Sequence, residues 1–258
     1  MTRLNGAPDA VGRALAALMP AGTQRDRPAC VPAGSWLRLG VGATALLVTA
    51  MAARRGRIGA CEARTFRAVN DLPDSLYVPT WAVMQLGTLG AAPAAAGAAW
   101  LAGEGELAVR LLAGGTGTWA LSKLVKRLVQ RPRPAVLLAG VRCRGRPAAG
   151  LGYLSGHAGV AVALGAAALP HLGPGGRASA LAAVPVVGLS RVYVGAHLPL
   201  DVAGGAALGL AVDAAVVLVM DAAAGCRRSS LSRASAPGRR RGPSRRPGAA
   251  RIRRGRRR

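Results

Sequence analysis

Cysteine, lysine, phenylalanine and acid are all scarce in this chain, and each scarcity closes off a class of protein. The four cysteines, Cys30, Cys61, Cys143 and Cys226, lie far apart, with no CxxC pair and no His/Cys spacing. Neither a zinc site nor a disulfide framework is therefore legible. The ten acids form no carboxylate cluster near any histidine, so a carboxylate-held divalent cation is not expected. Two lysines stand against thirty-three arginines, amid a heavy load of alanine and glycine; that ratio marks a GC-rich bacterial genome and is silent on mechanism. The N-terminal region holds one short apolar run, Ala14 to Met19. It is too short for a secretory h-region, and no clean small-residue cleavage site follows. Residues 1–35 are expected to be a retained, poorly ordered segment.

A hydrophobic share of 51% would be ordinary in a soluble enzyme, but here it gathers into blocks divided by arginine clusters. The blocks run over 36–53, 77–102, 107–125, 155–172, 178–190 and 198–220. A bilayer core takes about 17 to 25 apolar residues, and only helices and closed barrels can cross it. The lengths predict an all-α polytopic membrane protein, about six transmembrane helices bundled over residues 36–222. The fifth block is short and contains Pro185, and Pro93 with several glycines predicts a kink in the second. Gly205-x-x-x-Gly209 in the sixth permits close helix packing. Asp213, mid-span in the same block, is costly unless a polar group on a neighbouring helix meets it. The polar stretch from Glu62 to Asp74 is expected to run along the membrane surface.

Residues 223–258 form the last segment. From Arg227 to Arg258 there are fourteen arginines and no acid, a composition that cannot bury a core and predicts disorder. Such a tail reads as attachment to anionic lipid or nucleic acid, or as a retention and topology signal or GC-biased drift with no partner; no specific nucleic acid is implied. The excess of basic residues places the tail in the cytoplasm. Six spans then put both termini on that side and the loops 126–154 and 190–198 together on the other. The third connection is itself rich in arginine, which phosphate binding would explain; nothing in the sequence explains Arg54, Arg55 and Arg57 in the first.

Those two loops carry the chemistry. Arg191, five residues, His197, three residues, Asp201 is the longest pattern. Pro199 suits the first position of a helix, which sets Asp201 in the first turn, favoured by the helix dipole. His197, four residues earlier, is within reach of that carboxylate, and an imidazole held on one nitrogen offers the other as nucleophile or base. Lys126, six residues, Arg133-Pro134 follows the third block, in a stretch reading Arg131-Pro132-Arg133-Pro134. Ser155-Gly156-His157 opens the fourth block: Ser155 is a natural N-cap, Gly156 admits close approach to the backbone, and free helix N–H groups favour an anion. His157 could donate a proton to a leaving oxygen. Taken singly, each has a plainer reading, as a basic juxtamembrane anchor or a capped helix. The third histidine, His171, reads as a helix C-terminal residue outside the chemistry.

The ordered set Lys-x6-Arg-Pro, Ser-Gly-His, Ser-Arg-x5-His-x3-Asp resembles the type 2 phosphatidic acid phosphatase superfamily of integral membrane lipid phosphatases. The resemblance implies a six-span layout over about 36–222, with the motifs between residues 126 and 201. It implies His197 as a nucleophile forming a phosphohistidine, Asp201 as the group that holds its tautomer, and His157 as acid and then base. Lys126, Arg133, Ser155, Gly156 and Arg191 would bind phosphate, with no metal and no cofactor. The implied substrate is a lipid phosphate or diphosphate, such as an isoprenoid diphosphate, phosphatidic acid or phosphatidylglycerol phosphate, and the implied location is a bacterial plasma membrane, multi-pass. Leu154 departs from the family pattern, which has proline before the serine; no reacting atom is lost. Vanadium-dependent haloperoxidases share the constellation on soluble helical bundles, against which the apolar blocks argue. A membrane anchor whose arginine tail recruits anionic partners would leave the matched cation, histidine and aspartate positions unexplained.

Overall fold

The computed structural model describes residues 33–234, so the expectations for residues 1–32 and 235–258 lie outside the described residues. Among the described residues nine helices follow one another: α1 Ala33–Arg54, α2 Ala60–Asn70, α3 Tyr77–Met84, α4 Ala91–Leu101, α5 Gly105–Val129, α6 Pro134–Leu137, α7 Gly156–Ala168, α8 Pro174–Tyr193 and α9 Pro199–Ala234. Short 3₁₀ turns occupy Asp74–Leu76, Gln85–Gly87 and Leu169–His171. No strand occurs among the described residues, and the fold is all-α.

Helix α9 is the spine, packed mainly against α1 and α7 and next against α5. Its glycine notch explains the closeness. A Cβ at Gly205 would run into the Ser155 carbonyl oxygen, and one at Gly209 into the carbonyl of Gly159. Small residues at this spacing let two helix backbones approach until side chains no longer separate them. Two helices, Gly34–Arg54 and Pro199–Ala224, are long and apolar enough to cross a membrane. Along α1, Trp36, Leu37, Leu47 and Met51 all face outward, an apolar surface that water would penalise and lipid would not.

Three elements differ from their sequence expectations. The second apolar block breaks at the Gln85–Gly87 turn and resumes at Ala91, before Pro93. Pro93 sits in the first turn of α4, where its missing N–H has no intrahelical partner to lose. The fifth block is a twenty-residue helix running through Pro185. Finally, α9 continues past Cys226 to Ala234, into the stretch expected to lack structure. Ala222, Ala223 and Ala224 are the strongest helix formers, and a helix already nucleated extends at little cost per residue. The polar stretch after α1 contains α2, which turns Phe66 and Asn70 inward.

Asp213, fully buried, finds its partners on two other helices. Arg38 of α1 donates to Oδ2 at 2.9 Å. Arg110 of α5 donates twice, to Oδ1 and Oδ2, both at 2.8 Å. One carboxylate thus ties α1, α5 and α9 together in the half of the bundle away from the motif loops. Deleting one member of such a cluster leaves uncompensated charge in a dry interior, a cost of about 3–5 kcal/mol. Asp213→Ala is expected to lower the thermal midpoint of the detergent-solubilised protein by many degrees. An unchanged midpoint would show that the cluster contributes nothing to stability.

Candidate active site

The motif loops meet at one end of the bundle because two helix starts are stitched together. Pro199 is the first residue of α9, and Asp201, in the first turn, accepts the Leu198 backbone N–H at 2.9 Å. An acid three residues into a helix that reaches back to the N-cap amide is half of a capping box. Ser155 caps α7, its Oγ accepting the Ala158 N–H at 3.4 Å. The Ser155 N–H then donates to the Asp201 carbonyl at 2.8 Å. Between Arg191 and His197 the chain doubles back, and the amides of Ala196 and His197 both donate to the Arg191 carbonyl, at 3.0 and 3.1 Å. Gly195 turns that corner with φ +75°, a conformation glycine adopts without steric cost.

The Asp201 carboxylate is the buried centre of this end. Arg131, only 2% exposed, donates to its Oδ1 at 2.9 Å. The same guanidinium forks onto Glu62 of α2 at 3.0 and 2.8 Å, and Glu62 also accepts the Leu200 N–H at 3.2 Å. Burial opposes the charge on Arg131, but the Glu62 hydrogen bonds and the Asp201 charge outweigh it and push its pKa up. Gln130, in the left-handed region at φ 55°, ends α5 immediately before this arginine.

His197 is almost wholly buried. Its Nδ1 lies 3.7 Å from Asp201 Oδ2, too far for a hydrogen bond, and has no other partner among the described residues. Burial disfavours the charged imidazolium and pushes His197 down to about 4, with Asp201 pulling the other way. Around this neutral ring stand three cations with different partners. The Lys126 ammonium donates to the carbonyls of Leu151, Gly152 and Leu154. Arg133 donates to Ala149, Gly150 and Ala196 carbonyls, the last at 2.7 Å; burial lowers its pKa. Arg191 has its Nη1 2.9 Å from the Met84 sulfur, and its buried Nε has no partner among the described residues. Their hydrogen-bond partners are carbonyls and a thioether, and none of the three forms an ion pair among the described residues, although the Asp201 charge acts on Lys126 and Arg133 from nearby. His157 is the second residue of α7. Arg133 and Arg191 also line a cavity of about 390 Å³ with Arg144, Arg146, Tyr77 and Trp81. Such a site can receive an anion and hold a neutral imidazole against it.

All eight residues singled out by the motifs lie in this one cluster, with two changes of detail. The Gly156 Cα faces the Ser122 hydroxyl of α5, 3.2 Å from an added Cβ, so its small size serves helix packing. Asp201 is held by Arg131 and a backbone amide, and not by a hydrogen bond from His197. Arg131 and Glu62 are the residues that sequence reasoning passed over. Their only signal was the doubled Arg-Pro of 131–134 and the isolation of Glu62 among the arginines from 54 to 67. His171, at the far end, lies 3.8 Å from Glu104. Among the described residues, no group of three His, Cys, Asp or Glu side chains is arranged to hold a metal ion.

Comparison with known proteins gives the same region. Residues 107–224 match the model of the PAP2 superfamily, a span that includes all eight positions, and the resemblance carried by the three motifs is thereby shown. The crystal structure of Aquifex aeolicus LpxE aligns with a TM-score of 0.56 and 22% identity, covering 62% of this chain and 96% of that one; the two share a fold. The crystal structure of a transmembrane PAP2-type phosphatidylglycerolphosphate phosphatase from Bacillus subtilis aligns with a TM-score of 0.49 and 19% identity, covering 71% and 96%. No curated protein sequence matches the chain.

The burial of His197 has a consequence in solution. Desolvation lowers a histidine pKa because it penalises the protonated form, so the ring takes up its proton only at lower pH than usual. In a pH titration of ¹⁵N-imidazole signals, His197 is expected to stay neutral down to about pH 4. A midpoint at the ordinary value of 6.5 would mean that water reaches the ring.

Proposed function

We propose, on the premise of the PAP2 match over residues 107–224, that this chain is a membrane phosphatase releasing inorganic phosphate from a lipid phosphate or diphosphate. Its catalytic unit would be residues 36–222, crossing the membrane about six times, with the motif end extracytoplasmic and both termini cytoplasmic. The observation that carries the reading is a buried, neutral His197 beside Asp201, ringed by three cations with no acid of their own.

In this reading the phosphoryl group docks against Arg191, Arg133 and Lys126, with the Ser155 end of α7 adding helix N–H groups. Preorganised cations of this kind supply most of the transition-state stabilisation in phosphoryl transfer. The second ring nitrogen of His197, Nε2, attacks phosphorus; a P–N bond forms as the bond to the leaving alcohol oxygen breaks. His157, which takes up a proton as the negative phosphate offsets the cations around it, gives that proton to the leaving oxygen and is left neutral. The Nδ1 proton of His197 then faces Asp201, and the 3.7 Å separation would close as the ring gains positive charge, as catalytic contacts often tighten only on the reaction path. Neutral His157 next takes a proton from water, whose oxygen displaces the imidazole, and inorganic phosphate leaves. Arg131 touches no reacting atom; it holds the carboxylate that steadies the nucleophile and is a positioning residue.

Phosphate release by the detergent-solubilised full chain tests the reading over a panel of lipid phosphates and diphosphates. His157→Ala is expected to cost about 10²–10⁴-fold, the usual worth of a general acid or base, and His197→Ala to abolish turnover while the protein still inserts. A fully active His197→Ala protein would sink the mechanism. Activity is expected to survive EDTA and to fall with orthovanadate, whose five-coordinate geometry mimics the displacement. Loss in EDTA with recovery on Mg²⁺ would point to a different phosphatase chemistry.

A further inference from the structure

Around the rim of the motif end stands a set of basic side chains that neither the fold nor the phosphoryl chemistry uses. Arg54 ends α1, and Arg55 and Arg57 follow it in the short link to α2. Arg64 stands on α2, and Lys123 and Arg127 near the end of α5. All six are exposed, and none forms an ion pair among the described residues. Between residue 54 and the end of α2 the one acid is Glu62. It shares the inward face of α2 with Phe66 and Asn70, each one turn further along, and is taken by Arg131. Arg64 is left on the opposite face. At the other end of the bundle, exposed charges of both signs occur among the described residues, Glu106 and Arg177.

These six charges sit at the depth of bilayer headgroups. Val125 and Val129 of α5 pack against the apolar cluster that holds Ala53 of α1, so the ends of the two helices lie side by side. Directly beneath the charges, Leu47 and Met51 of α1 and Leu121 and Leu124 of α5 face outward. The Lys123 ammonium lies over Trp119, 5.0 Å from the ring centre. Trp and basic side chains of this kind gather where hydrocarbon gives way to headgroups, and the long basic ones extend their charge to the surface. Attraction to an anionic surface grows with each such residue and fades within a Debye length.

We propose that this rim binds the phosphate headgroups of anionic bilayer lipids and enriches them around the motif end. The occupant is lipid, and not a soluble polyanion, because the charges continue the apolar outer faces of α1 and α5 without a gap. Resting on the phosphatase reading, the same enrichment gathers an anionic lipid substrate beside the cations of the site, since fields of this kind raise the local concentration of a charged substrate.

The test reconstitutes the full chain in phosphatidylcholine vesicles with a trace of spin-labelled phosphatidylglycerol or spin-labelled phosphatidylcholine. EPR then reads the motionally restricted fraction of each label. Wild type is compared with Arg54→Gln/Arg55→Gln/Arg57→Gln, with Arg64→Gln/Arg127→Gln and with the control Arg177→Gln. The arginine tail is intact in all four, so a difference belongs to the rim. The preference for phosphatidylglycerol is expected to fall by roughly half or more in the triple variant, to fall in the double variant, and to stay at wild type in the control. A preference unchanged in both rim variants, or none in wild type, leaves the rim to soluble polyanions and overturns the proposal. A kinetic arm uses a lipid phosphate diluted in the same vesicles, where the triple variant is expected to raise KM roughly tenfold with kcat unchanged. A fall in kcat at unchanged KM would make these arginines part of the site and overturn the gathering role. If wild type released no phosphate, the phosphatase reading would fail, and the EPR arm would still decide the rim.

Discussion

One carboxylate organises the motif end of this molecule. Asp201 receives Arg131 on one oxygen and the Leu198 amide on the other, while its own carbonyl receives Ser155. Through Arg131 the network reaches Glu62, and so α2, the loop after α5, the start of α7 and the start of α9 are fixed to one another. A buried ion pair gains little over apolar packing in net free energy, because desolvation of both charges offsets their attraction. Its worth here is geometric. Removing any one member would leave the others charged in a dry interior, so the arrangement has few alternatives.

The same logic recurs further along the spine. Helix α9 carries two fully buried acids, Asp201 and Asp213, and each is met by arginines from distant parts of the chain. In a chain with a formal charge of +25, the few acids are the scarce partners and decide where arginines can be buried. This also revises the charge of the third connection. Arg131 is neutralised by Glu62 and Asp201, and Arg144 pairs with Asp74 at 2.8 Å while stacking on Tyr193. Arginines that weighed against an extracytoplasmic loop are spent within the fold. Those of the first connection, Arg54, Arg55 and Arg57, have no such explanation.

Local rules carried the sequence reading far. Pro199 and Ser155 start helices where their chemistry favours it, and the Gly205/Gly209 notch packs as its spacing suggests. The expected partner of Asp213 exists, as two arginines. What stayed hidden depends on distance in space. Arg131 and Arg133 look alike in an Arg-Pro repeat, and only the third dimension sends one inward to Glu62, sixty-nine residues away. The helix interruption at Gln85–Gly87 lacks the proline that marked the expected kink. The His197–Asp201 spacing in sequence implied a hydrogen bond that the 3.7 Å separation does not make.

Covalent capture of the intermediate asks most directly whether His197 is the nucleophile. Full-length protein is mixed with a ³²P-labelled lipid phosphate and quenched in alkali within a single turnover, since phosphohistidine survives base and hydrolyses in acid. Peptide mapping is then expected to find the label on the peptide containing His197, with none in His197→Ala. Label on His157, or turnover with no protein-bound label at any quench time, would contradict the central role given to His197.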